Sequence, residues 1–152
     1  MWSTLDRAAI FALALLATGS CSRAPRLHLQ YGSELKQTEL ARFLEENPLG
    51  AGENIKVTTL GRGREVSHHI VQVREREEPH VHERHDGTVV VLRGGGYLML
   101  DGRRIDIATG DAVYIPRGAP HYFVNTGSDP AIAFVIFSPP FDGKDYVAVR
   151  DR

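Results

Sequence analysis

The chain has 152 residues, 42% hydrophobic and 24% charged, the balance of one ordinary globular domain with a real core. Its formal net charge of −1 removes the electrostatic basis for a nucleic-acid partner. Fifteen glycines and eight prolines favour a turn-rich β fold over a helical one.

The first segment, "MWSTLDRAAIFALALLATGSCS", carries Arg7 near its start, then an apolar run, then small residues. That is the anatomy of a secretory signal, and the run is too short to span a bilayer comfortably. Cys21, the only cysteine, follows "ATGS" and resembles the lipobox of bacterial lipoproteins, although Thr18 stands where Leu is most usual. A lone cysteine cannot serve an internal disulfide. The expectation is a signal over residues 1–21, lipidation at Cys21, and an exported protein anchored to the membrane by its N-terminal lipid. Ser22 fits sorting to the outer membrane, facing the periplasm. The plainer alternative is a secreted protein with a free thiol.

Residues 22–54 read as a tether followed by a short helix. Leu40, Phe43 and Leu44 fall at helical spacing, Thr38 or Ser33 could cap the start, and Pro48 and Gly50 end it, which predicts a helix over 38–46. From Ile55 the pattern changes. "NIKVTTL", "SHHIVQVRE", "TVVVL", "YLML", "RIDIA", "DAVYIP", "HYFVN" and "AIAFVIF" are short β-type runs, most of them separated by Gly, Pro, Asp or Asn. Asp101–Gly102 is a two-residue hairpin signal. Residues 55–140 are therefore expected to form an antiparallel sandwich or barrel. Residues 141–152 are either a surface tail folded back across the domain or a lid or dimer contact at the barrel mouth.

The stretch "PHVHERHDG", Pro79–Gly87, concentrates three histidines and an aspartate. In an extended strand, His80 and His82 share a face and both rings can reach one ion. Imidazole suits Zn, Fe, Cu and Ni, and Mn with carboxylate help. Alone, a His-x-His pair is weak evidence. Downstream, "GDAVYIPRGAPHYFVN" brings His121 to the start of another strand, where it could meet the pair. His68 and His69 face opposite sides of their strand and need no role in chemistry. Asn125 suits a turn-tightening role.

These two segments resemble the paired motifs of the cupin superfamily. Gly110, Pro116, Gly118, His121 and Asn125 fill every position of the second, Gly-x5-Pro-x-Gly-x2-His-x3-Asn. His80, His82 and Gly94 match the first, whose opening glycine is replaced by Arg74. The resemblance implies an antiparallel β-barrel of jelly-roll type and a divalent transition metal (Fe, Mn, Zn, Ni or Cu) held by His80, His82 and His121. The family's glutamate ligand falls at Gly87, so the fourth position goes to Asp86, to His85 or to water. A bulge at Asp86–Gly87 would re-aim Asp86.

A fold is not a function. One reading is a metal-dependent enzyme on a small molecule, an oxygenase or an isomerase. Another is a non-catalytic module that binds a metal, a sugar or another small ligand. A third is a structural metal domain, with a barrel edge supporting a homodimer. No second acid–base group stands out near the motifs.

Overall fold

The computed structural model describes residues 24–150, so Cys21 and the signal segment lie outside the described residues. Strands β1 (Arg26–Tyr31) and β2 (Glu34–Glu39) come first and pair antiparallel, from Arg26↔Glu39 to Tyr31↔Glu34. Where a plain tether was expected, the chain forms a two-stranded ribbon. Leu27, Leu29 and Tyr31 alternate with polar residues, which is strand periodicity, and Gly32 turns the chain at φ +61°.

Helix α1 (Leu40–Glu46) starts two residues later than expected. Thr38 and Glu39 stay in the ribbon ladder, so neither Thr38 nor Ser33 caps the helix. The Leu40 N–H instead donates to Pro25 O at 3.0 Å. Buried Leu40 joins Leu27, Ile70 and Ile132 in one core cluster, with Phe43 and Leu44 packed against it. Ile70 and Ile132 are fully buried, each a contribution of about 2 kcal/mol from water exclusion. Ribbon and helix are thus stapled to the main body.

The main body consists of two five-stranded antiparallel sheets. One has the order β3 (Ile55–Arg62), β4 (Ser67–Val73), β11 (Ala131–Ser138), β6 (Asp86–Arg93), β9 (Ala112–Ile115). The other runs β12 (Val147–Ala148), β5 (His80–Val81), β10 (His121–Asn125), β7 (Gly95–Leu100), β8 (Arg103–Ala108). Non-consecutive strands lie side by side in both sheets, the cross-connected order of a jelly roll. All eight β-type runs of the sequence are strands. The Asp101–Gly102 hairpin forms as expected: φ is +49° and +73°, the paired positive values of a type I′ turn.

The C-terminal segment joins the second sheet. After β11 it folds back and adds β12 to the edge of the second sheet, next to β5. Asp145, a charged residue, is only 2% exposed there. Among the described residues, no helix is long and apolar enough to cross a membrane.

Candidate metal centre

Three strand positions converge. His121 opens β10 directly opposite His80 on β5, and their ring centroids lie 4.3 Å apart. His82 follows two residues after His80 on the same face, its ring centroid 5.0 Å from His80 and 5.4 Å from His121. The Pro116–Gly118 turn ties the two motifs together, because the Gly118 N–H donates to His82 O at 2.8 Å. Gly118 sits at φ +79°, a conformation that favours glycine. All three histidines are buried, and one ligand atom from each lies within 4.8 Å of the others.

Their chemistry fits a metal ion. His80 Nδ1 bonds Glu78 O at 2.8 Å and His121 Nδ1 bonds Ala119 O at 2.9 Å. His82 Nδ1 bonds the backbone carbonyl of Asp145. A carbonyl only accepts, so each Nδ1 carries the proton and each Nε2 presents a lone pair. Burial disfavours the charged form: it lowers His80 to about 3, with His121 adding to the effect, and His121 to about 4. Burial also lowers His82, against the opposing pull of Asp145. Three neutral imidazoles with fixed tautomers are the state in which histidine ligates. They could hold one metal ion.

Asp86 is not part of this cluster. The strand pair is in register there, Phe137↔Gly87 and Ser138↔Asp86, and the irregularity in that pair falls between Ile132 and Ala133. Without a bulge at 86–87, Gly87 faces the cavity and Asp86 points the other way. Its carboxylate accepts from Arg117 Nη2 at 2.6 Å and from the Arg117 backbone N–H at 2.9 Å. Those side-chain and backbone bonds lower it to about 2. His85, the other protein candidate for the fourth position, is committed elsewhere, with Nδ1 2.5 Å from Asp145 Oδ2. His69 is buried between Ser67 Oγ (2.8 Å) and Thr59 Oγ1 (3.2 Å), and His68 meets Tyr31 Oη at 2.7 Å. Neither belongs to the cluster. Asn125 tightens its turn as expected, donating to Asp129 O and accepting from the Gly127 N–H.

The histidines open onto a cavity of about 240 Å³ between the two sheets. Ligand pockets commonly start near roughly 300 Å³, so its occupant must be compact. Its walls are apolar, from Val57, Val71 and Ile132 on one sheet to Leu98, Ile107 and Phe123 on the other. Among the described residues, the polar side chains lining it are the three histidines, Tyr146 and Glu77.

Glu77 is a titratable group of the cavity wall that sequence reading missed. It sits in the charge run "REREEP", where a solvated strand end is the natural inference. Its Oε2 accepts from the Phe123 N–H at 3.0 Å, and Phe123 lies two residues beyond His121, roughly 7 Å along the strand. Burial pushes its carboxyl up to about 7, against the opposing bond from Phe123. Tyr146 was also missed; its ring stacks on His80 with centroids 4.1 Å apart.

Two outcomes follow from this geometry. Replacing His80, His82 or His121 by Ala should lower metal affinity at least about tenfold by competition with a chelator. Asp86→Ala and His69→Ala should leave it unchanged; a large loss in Asp86→Ala would return Asp86 to the coordination sphere. The second concerns Glu77, whose carboxyl rises from 4.5 to about 7 on folding. A raised carboxyl favours the folded state only while protonated, so stability relative to Glu77→Gln should fall as pH rises from about 4.5 to 7 and level off outside that window. Melting curves against pH test this, and a flat difference contradicts the burial of Glu77.

Comparison with known proteins bears on the family and the fold. The family model described as "Cupin domain" matches residues 67–137, which span both motifs. An uncharacterised protein of Aquifex aeolicus is 41% identical over 101 residues, covering 66% of this chain and 83% of that protein. KdgF from Halomonas superposes with a TM-score of 0.58 at 25% identity, over 65% of this chain and 92% of that one. Pac13, described as a nucleoside dehydratase, shares the fold at TM-score 0.55 and 21% identity, over 64% of this chain and 79% of its own. With the jelly-roll order and the cupin-domain model matching across both motif segments, the chain belongs to the cupin superfamily.

Proposed function

We propose that the protein is a metal-dependent enzyme that moves a proton on a compact, mainly apolar small molecule, as an isomerase does. The supporting observation is that Glu77, a carboxyl held near neutral pKa, lines the same apolar cavity as the three histidines. Perturbed carboxyls of this kind are the usual general acids and bases of enzymes. An ion held by His80, His82 and His121 would supply Lewis acidity towards a carbonyl oxygen. Glu77 takes a proton from the hydroxyl-bearing carbon beside that carbonyl and returns it to the former carbonyl carbon, while the hydroxyl proton passes to the carbonyl oxygen. A carboxyl near 7 has both protonation states available at neutral pH, which lets one group do both jobs. The apolar walls keep water from competing for that proton. Dioxygen activation makes no comparable use of Glu77, and a passive binding site has no need of an ionisable carboxyl in an apolar wall.

The test starts with elemental analysis of the full chain, purified in detergent without a His tag, beside the His80/His82/His121 triple Ala variant. The loaded protein is then incubated in D₂O with a panel of small cyclic hydroxyketones, and C–H exchange is followed by NMR. About one metal per chain, with exchange lost in Glu77→Gln at unchanged metal content, supports the enzyme. Metal binding with ligand-induced shifts but no exchange supports the non-catalytic module instead.

We also propose that this domain works at a membrane surface in the periplasm, tethered by a lipid on Cys21. The support is the signal-like segment and the single cysteine at its end. Cys21→Ser should move the protein from the detergent phase to the aqueous phase in a phase-partition experiment, and unchanged partition would refute the tether.

A further inference from the structure

The three imidazoles are oriented in two different ways. His80 and His121 each bond a carbonyl two residues back in their own strand segment, Glu78 O and Ala119 O. Each is therefore fixed by its local backbone. His82 has no such partner; its Nδ1 bonds the carbonyl of Asp145, 63 residues away. The direction of the third ligand depends on the C-terminal segment.

Asp145 is held in place by its own side chain. Its Oδ1 accepts from the Glu83 N–H at 3.0 Å, and its Oδ2 accepts from the Arg84 N–H at 2.9 Å and bonds His85 Nδ1 at 2.5 Å. One carboxylate thus closes the turn that follows His82, while the carbonyl of the same residue takes the His82 ring. Burial alone would raise that carboxyl, yet these bonds outweigh it and hold it at about 2. Neighbouring residues fasten the same segment. Tyr146 Oη donates to Glu78 O at 3.0 Å, the Val149 N–H donates to Pro79 O at 2.9 Å, and the Phe141 N–H donates to Ser67 Oγ at 2.9 Å.

We propose that Asp145 is a positioning residue of the metal centre: its carbonyl sets the tautomer and direction of His82, and its carboxylate clamps that carbonyl to the 83–85 turn. The proposal rests on the three-histidine reading. It goes beyond it by making a residue outside both motifs, in the C-terminal segment, a determinant of metal affinity and geometry. Asn at this position keeps the shape but sets an NH₂ group against backbone and ring donors, so the clamp loses acceptors where it needs them.

The experiment uses the full chain in detergent with Co²⁺ alone as the probe. Affinity is read by chelator competition, coordination geometry by the visible d–d absorption, and folding by far-UV circular dichroism. Asp145→Asn should weaken Co²⁺ binding about 10- to 100-fold, the range for residues that orient a ligating histidine, and should change the d–d spectrum. His85→Gln removes one tie of the carboxylate and should shift both readouts in the same direction by less. It also serves as the test if Asp145→Asn does not fold. Asp142→Asn, which removes a surface ion pair with Arg84, should leave both readouts alone. A lower melting temperature with unchanged affinity and spectrum in Asp145→Asn makes Asp145 merely structural and overturns the proposal. An equal loss in Asp142→Asn means general loosening and overturns it too. A parent chain that binds no Co²⁺ overturns the three-histidine reading and this inference with it.

Discussion

Three imidazoles withdrawn from water must each find a partner for Nδ1–H while keeping Nε2 free, and much of this fold answers that demand. A buried polar nitrogen without a partner costs about 1–3 kcal/mol, so three unpaired rings would consume a large part of a small domain's stability. The pairing of β10 with β5 sets His121 opposite His80 and lets each use its own backbone. His82 lies past the end of β5, where the local backbone offers it nothing, and the C-terminal segment is folded back to supply the carbonyl. The edge pairing of β12, the stacking of Tyr146 on His80 and the burial of Asp145 all stem from that return.

Much of this was legible because it is periodic or local. The strands from Ile55 to Ser138 alternate or run apolar between turn residues, and the Asp101–Gly102 hairpin follows from backbone preference alone. His80, His82 and His121 could be grouped because two sit at strand spacing and the third lies in a complete second motif. What stayed hidden is non-local. Nothing in "FDGKDYVAV" marks Asp145 as a partner of residues 82–85, since that contact exists only after the chain has closed on itself. Glu77 hid inside a run of charges, five of six consecutive residues, where only the partial burial of one of them against the cavity carries information. Asp86 misled for a simpler reason: a one-residue offset reverses a side chain in a regular strand, and no bulge corrects it. The β1–β2 ribbon was overlooked because its alternation is short and polar on one face.

Glu77 and the apolar cavity stand in tension. A carboxyl whose ionisation is resisted by its surroundings opposes folding at neutral pH, and walls that leave space between the sheets forgo packing that a filled core would have. Both features weaken the domain where a ligand would sit, and the same side chains, Ile132 on one sheet and Leu98 on the other, both wall the cavity and anchor the two apolar clusters.

The chain order of the centre has a temporal consequence. His80, His82 and His121 all precede the end of β11, whereas the group that aims His82 comes only afterwards, at Asp145. A chain emerging from its N-terminus therefore has every wall strand of the cavity before its third ligand is pointed. The third imidazole is therefore aimed only when the segment after β11 has folded back onto residues 82–85.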